Sequence, residues 1–171
     1  MNRGKLVIVF IFGLSTAMGV YAWWFHYQQG KRCLQLWGSE TATRIRFAPR
    51  VEAMVLGDAD PSADAGTLTI GGRSVAIRQR ARIEEVPGLL HARYALLEDA
   101  SFQWDAALAD QPATWQYAMR FEDDDGAVVL LFDPAAGWVR DLDSGREGRL
   151  RPKLVQSYQT RIPQWIEAAS R

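Results

Sequence analysis

Residues 6–25 run for twenty positions without a charged side chain, and no other stretch constrains the chain as much. A helix rises 1.5 Å per residue, so such a run spans about 30 Å, the thickness of a bilayer's hydrocarbon core. A helix apolar on every side needs a large protein around it to be buried, and this chain has only 171 residues in all. The expectation is a transmembrane helix over Leu6–Phe25, preceded by a short tail, Met1–Lys5. Trp23, Trp24 and Tyr27 gather at its far end, where an aromatic ring sits among headgroups while its dipole reaches water, and they are expected to mark the interface.

A cleaved signal peptide is the competing reading, because Met1–Lys5 is a short basic leader and Val20-Tyr21-Ala22 resembles a cleavage site. Against it, cleavage would leave Trp23 at the new N-terminus, and the apolar run is long for a signal. No lipobox precedes Cys33, since Gly30-Lys31-Arg32 stand before it. Arg3 and Lys5 on one side and Lys31 and Arg32 on the other nearly balance the positive-inside rule. The short tail favours a signal-anchor with a cytoplasmic N-terminus. The expected location is thus the bacterial inner (cytoplasmic) membrane, single-pass, with the globular domain periplasmic or otherwise exterior.

Within the span, Gly13 with Ala17 and Ser15 with Gly19 form two staggered small-xxx-small pairs. Small residues at that spacing let a second helix backbone approach closely. The expected partners are the lipid bilayer and another integral membrane protein, and self-association stays open.

Residues 26–49 read as a juxtamembrane stalk helix, with Leu34, Trp37, Thr41, Ile45 and Ala48 at three- and four-residue steps and Pro49 as its stop. Gly30 and Gly38 weaken it and allow a bend. Residues 50–171 read as one globular α+β domain. Val51–Leu56 is a short apolar run, followed by a loop over Asp58–Gly66. Thr67–Ile70, Gly71-Gly72 and Arg73–Ile77 then predict a hairpin, because paired glycines accept the positive φ angles of tight turns. Beyond it Arg78, Arg80 and Arg82 alternate with Gln79, Ala81 and Ile83, placing three arginines on one strand face as a candidate docking stripe for anionic headgroups or an acidic partner. Glu84 and Glu85 are their expected local partners.

Pro87 opens a predicted three-turn helix with a stripe of Val86, Leu90, Tyr94 and Leu97. Phe102 and Trp104 follow in a loop-like stretch up to Pro112. Trp115, Tyr117, Met119 and Phe121 alternate with Gln116, Ala118 and Arg120, a strong strand pattern. Asp125-Gly126 turns this strand into Val128–Phe132, and Gly137–Leu142 and Arg149–Leu150 flank Asp143-Ser144-Gly145, so an antiparallel meander is predicted. A last helix after Pro152 carries Leu154, Tyr158, Ile162, Trp165, Ile166 and Ala169 on one side, with Pro163 expected to kink or restart it. This order predicts an antiparallel sheet with helices packed on one face.

The chemistry-bearing residues are sparse. Bases and acids balance at 20 each, and residues 26–171 hold 18 bases against 20 acids, which argues against nucleic-acid binding. Cys33 is the single cysteine, so no internal disulfide or CxxC site exists, and it reads as a small packing residue. His26 sits at the membrane boundary and His91 beside the stripe of the Pro87 helix, where a hydrogen-bonded boundary histidine is the plain reading. Glu122–Asp125 gathers four carboxylates, but neighbouring side chains diverge in a hairpin, and a solvated turn fits better than a calcium loop. Zinc-peptidase, phosphate-loop, dinucleotide and haem-attachment motifs are missing. The sequence therefore points to a non-enzymatic, cofactor-free accessory or assembly subunit of an inner-membrane complex. The alternative is a membrane-tethered binding domain that captures a soluble ligand or protein.

Overall fold

The computed structural model describes residues 3–28, 30–57, 66–105 and 114–171, and within the first helix the side chains at positions 4 and 7–24. That helix, α1 (Arg3–Gln28), projects from the rest of the chain. Its segment Val7–Trp24 has a mean hydropathy of 1.7 and is wholly exposed, so the helix is long and apolar enough to cross a membrane.

Seven strands form one sheet: β1 (Arg50–Gly57), β2 (Thr67–Ile70), β3 (Arg73–Arg82), β4 (Tyr117–Glu122), β5 (Ala127–Asp133), β6 (Trp138–Asp141) and β7 (Glu147–Arg149). Their order is β2-β3-β1-β4-β5-β6-β7, and every neighbouring pair is antiparallel. The β2–β3 turn uses Gly71 at φ 56° and Gly72 at φ 80°, a geometry that side chains resist, so the two glycines set the register. The meander β4–β7 follows the predicted order. The Asp58–Gly66 loop, apart from Gly66, and the stretch 106–113 that includes Pro112 lie outside the described residues.

Four further helices, α2 (Lys31–Trp37), α3 (Ser39–Phe47), α4 (Leu89–Ala95) and α5 (Pro152–Ala169), cover a single face of the sheet. Cys33, Trp37, Ile45, Leu89, Tyr158, Ile162, Trp165 and Ile166 from these helices join Val51, Ala53, Met119, Phe121, Leu130 and Val139 in the main core. The opposite face carries a smaller cluster of strand residues only, Met54, Leu56, Ile77, Ala118 and Leu131. The α+β arrangement expected from the sequence is thus the observed one.

Several local expectations differ. The stretch 26–49 is not one helix: α1 ends at Gln28, and glycines at φ 123° (Gly30) and φ 80° (Gly38) separate α2 and α3. Cys33, Trp37, Ile45 and Ala48 are fully buried, so this stretch is part of the core, while Leu34 of the expected stripe faces outward. The helix after Pro87 spans only Leu89–Ala95 and begins beyond Gly88, which takes a left-handed φ of 86°. Its inner face is Leu89, Ala92, Arg93 and Leu96, whereas Leu90 and Tyr94 are exposed. An arginine on the inner face displaced the sequence stripe, because a charged residue reads as outward-facing.

The C-terminal helix runs through Pro163 as one element. Proline in a helix interior costs about 3 kcal/mol. Burial of Tyr158 and Ile162 before it and Trp165 and Ile166 after it offsets that cost.

Strand β3 also departs from strict alternation. Its register on β1 shifts between Val55 and Leu56, with Val55 opposite Gln79 and Leu56 opposite Ile77, leaving Arg78 as the bulged residue.

Candidate functional site

On α1, Gly13, Ala17, Ser15 and Gly19 are all exposed, and a Cβ at Gly13 or Gly19 would meet nothing within 4 Å. At about 100° per residue the Gly13/Ala17 pair lies roughly 200° from the Ser15/Gly19 pair. The two small-residue seams therefore face opposite sides of the helix and cannot serve one partner helix together. Trp23 and Trp24 are exposed, and Trp24 packs at a tilt against Tyr21 with centroids 6.4 Å apart. The side chain of Tyr27 lies outside the described residues.

The first helices of the domain are held by side chains that cap loose backbone. Gly30 offers α2 no side-chain cap, and Asp99, far along the chain, does so instead. Its carboxylate accepts from the amides of Arg32 (3.3 Å) and Cys33 (2.8 Å). The segment around α4 leaves its carbonyls without a sheet partner, and aromatic donors meet them. Trp37 Nε1 donates to Leu96 O at 2.8 Å, Trp104 Nε1 to Asp99 O at 2.8 Å, Tyr158 Oη to Ala92 O at 2.7 Å and Trp165 Nε1 to Pro87 O at 3.2 Å. Trp37, Tyr158 and Trp165 thus pin 87–96 against α2 and α5 as well as filling the core, and Trp104 closes the turn at Asp99. Burial drives the Tyr158 phenol far above its ordinary pKa, which keeps it a neutral donor.

Arg93 closes α3. Its guanidinium donates to Ile45 O (2.6 Å), Ala48 O (2.9 Å) and Arg44 O (3.4 Å), and lies 5.7 Å from the centre of the Phe121 ring. Positive charge at a helix C-terminus meets the orphan carbonyls and the negative end of the dipole. Desolvation lowers its pKa from the ordinary arginine value, and it remains charged at neutral pH.

The acidic turn 122–125 is spanned by arginines. Arg44 Nε donates to Asp123 at 3.2 Å and its Nη1 to Glu40 at 2.7 Å. Arg50 reaches Glu122 at 3.3 Å and Asp124 at 3.5 Å, and Arg120 reaches Glu122 at 2.8 Å. Burial pulls the Asp123 carboxyl upward, but the Arg44 bond and the amides of Asp125 and Gly126 outweigh it and hold the carboxyl below its usual range. These ion pairs tie the β4–β5 turn to α3 and β1, and they use the charge a cation would have needed. Among the described residues no group of three or more acidic, histidine or cysteine side chains is arranged to hold a metal.

The bulge divides the arginine stripe. Arg80 and Arg82 stand opposite Met54 and Glu52 on the helix-free face, and Arg80 pairs with Glu52 at 2.9 Å, a cross-strand partner and not the expected Glu84 or Glu85. Arg78 instead lies over Gly57, where a Cβ would collide with its guanidinium. Gly57 shares the parity of Val51, Ala53 and Val55, so Arg78 turns toward the helical face. Arg44 and Arg50 are committed to the acidic turn, and Arg46 stacks near Phe47 and Tyr94 at 5.1 and 5.4 Å.

His91 is exposed, and the side chain of His26 lies outside the described residues. A small cavity of about 10 Å³ between Tyr117, Phe132, Trp138, Val155 and Tyr158 has room for about one water.

What the geometry builds is a capped, aromatic-pinned domain that follows an apolar helix, with its buried polar side chains engaged in structural bonds. No family model matches this chain, and no curated protein or solved structure matches it either.

Proposed function

We propose that this protein is a membrane-anchored, non-enzymatic accessory or assembly subunit of a bacterial inner-membrane complex. In this reading α1 spans the bilayer with its N-terminus in the cytoplasm, and the domain stands in the periplasm. The observation that carries it is α1 itself: eighteen consecutive uncharged, largely apolar positions, none buried, with small-residue seams on two opposite sides. Two seams suit a helix placed between two membrane neighbours better than a simple tether. The domain supports the same reading, because its buried polar groups are spent on capping and turns. Asp133, for instance, accepts from the amides of Thr114, Ala135 and Ala136, and Asp141 from those of Asp143 and Ser144.

The experiment is purification of the tagged full-length protein in a gentle detergent, with mass spectrometry of co-migrating membrane proteins. Gly13→Leu with Ala17→Leu should remove one partner and Ser15→Leu with Gly19→Leu another. Unchanged co-purification in both double variants would remove the seams from the interface. A solitary monomer from native membranes would favour the second reading, a tethered domain that captures a soluble ligand or protein on its helix-free sheet face, where Met54, Leu56 and Ile77 lie among partly exposed Leu68, Ile70, Val75, Trp115 and Val129.

A further inference from the structure

We infer that the outer surface of α2, α3 and α4 is a second membrane contact, which lays the domain onto the anionic headgroups of the same bilayer that α1 crosses. The inference rests on the reading of α1 as an anchor.

Outside α1, the exposed large hydrophobic residues among the described ones are Leu34 (50%), Phe47 (67%), Leu90 (57%) and Tyr94 (40%). All four come from α2, α3 and α4, and none from the sheet or α5. These same three helices carry five bases, Lys31, Arg32, Arg44, Arg46 and Arg93, and a single acid, Glu40, which Arg44 engages. Arg93 turns inward and Arg44 is held by Glu40 and Asp123, so the bases of the outer surface are Arg32, Arg46 and the half-buried Lys31, set among the four apolar side chains. Exposed acids flank this surface, Glu84 and Glu85 ahead of α4, Glu98 beyond it and Asp124 in the turn held by Arg44 and Arg50, and Asp99 is occupied at the amides of α2.

The patch lies close to the end of α1. A Cβ at Gly30 would stand 3.4 Å from Leu97 O, and the Leu97 amide donates to Tyr94 O at 2.9 Å, so the C-terminal end of α4 meets the chain as it leaves α1. Arg46 bridges onward, 5.4 Å from the Tyr94 ring and 5.1 Å from that of Phe47. From Trp24 to Gly30 is six residues, at most about 20 Å even fully extended. Interfacial aromatics beside arginines whose stems cover apolar surface are the composition of a membrane-lying face. Each base near an anionic surface favours the docked state by about fivefold.

The test uses full-length protein with Cys33→Ala, carrying one environment-sensitive label at Ala22→Cys, His91→Cys or Ser74→Cys, reconstituted into phosphatidylcholine vesicles with or without phosphatidylglycerol. Quenching by lipids that carry a nitroxide near the headgroup reports proximity. The expected result is quenching at 22 in both vesicles, quenching at 91 that strengthens with phosphatidylglycerol, and none at 74 in the β2–β3 hairpin region. Arg46→Glu should lower the docked-to-undocked ratio at 91 by about tenfold or more with unchanged melting. Quenching at 22 without any at 91 overturns the inference while leaving the anchor intact, and assigns the patch to a protein partner. No quenching at 22 overturns the anchor reading and this inference with it.

Discussion

Arg93→Met removes the charge that closes α3 while keeping a stem of similar length. Two of the three carbonyls it serves, those of Ile45 and Ala48, have no other donor in the described backbone network, whereas Arg44 O also accepts from the Ala48 amide at 2.9 Å. A buried acceptor left unsatisfied costs about 1–3 kcal/mol, and relief of the arginine's own desolvation offsets part of this. The net loss should be about 2–4 kcal/mol, equivalent to roughly 8–15 °C in Tm for a domain of this size. Chemical or thermal unfolding of the full-length protein in detergent, followed by near-ultraviolet dichroism of the buried indoles, measures it. Arg82→Met on the exposed sheet face is the control and should stay within about 0.5 kcal/mol of the parent. Arg93→Lys should recover only part of the loss, because an ammonium lacks the planar fork that spans the two carbonyls. If Arg93→Met unfolds within about 0.5 kcal/mol of the parent, the capping argument is wrong.

Cys33 should resist maleimide in the folded protein and react after unfolding, because burial, then the hydrogen bond and charge of Asp99, raise its pKa far above the ordinary thiol range; rapid labelling in the native state would contradict its place in the core. Gly148→Ala should destabilise by about 1–3 kcal/mol in urea, since the new methyl would stand 2.9 Å from both Leu36 Cδ2 and Phe102 Cδ1. The folded Asp123 carboxyl is held below its unfolded value, so its contribution to stability is complete at neutral pH and is lost as pH falls below about 4. Urea midpoints measured against pH should show this loss, and Asp123→Asn should flatten that part of the curve.

Periodicity was informative wherever one face met the core and the other met water. Trp115–Phe121, the Gly71-Gly72 turn and the C-terminal stripe of Tyr158, Ile162 and Trp165 were legible for that reason. It failed where a polar residue had inward work to do. Arg93 shifted the apparent stripe of α4 by one position, because its role depends on carbonyls from a helix nearly fifty residues earlier, a separation no local pattern carries. The bulge at Arg78 was hidden in the same way, since alternation of arginines and smaller residues looks regular until strand pairing is known. Asp99 read as an unremarked loop residue, although it caps a helix 66 positions away. For the candidate site, the length of α1 was plain from composition, but the opposition of its two seams needs only helical geometry and was available from the start. The exposure of Leu34, Leu90 and Tyr94 was not, because each was expected on an inward stripe.

The long-range caps around Asp99 and Leu96 also bear on how the chain matures. Cys33 receives its amide partner 66 residues later and Trp37 its carbonyl partner 59 residues later, while Tyr158 and Trp165 of the final helix complete the same layer. During synthesis α2 and α3 therefore emerge well before the residues that enclose them, and Trp37 stays uncovered until Leu96 and Phe102 arrive. Local contacts let the β2–β3 hairpin and the β4–β7 meander form in the meantime. Truncation before α5 would thus remove the donors that reach Ala92 and Pro87 and uncover β1 and β3, while the β4–β7 meander keeps its own pairing.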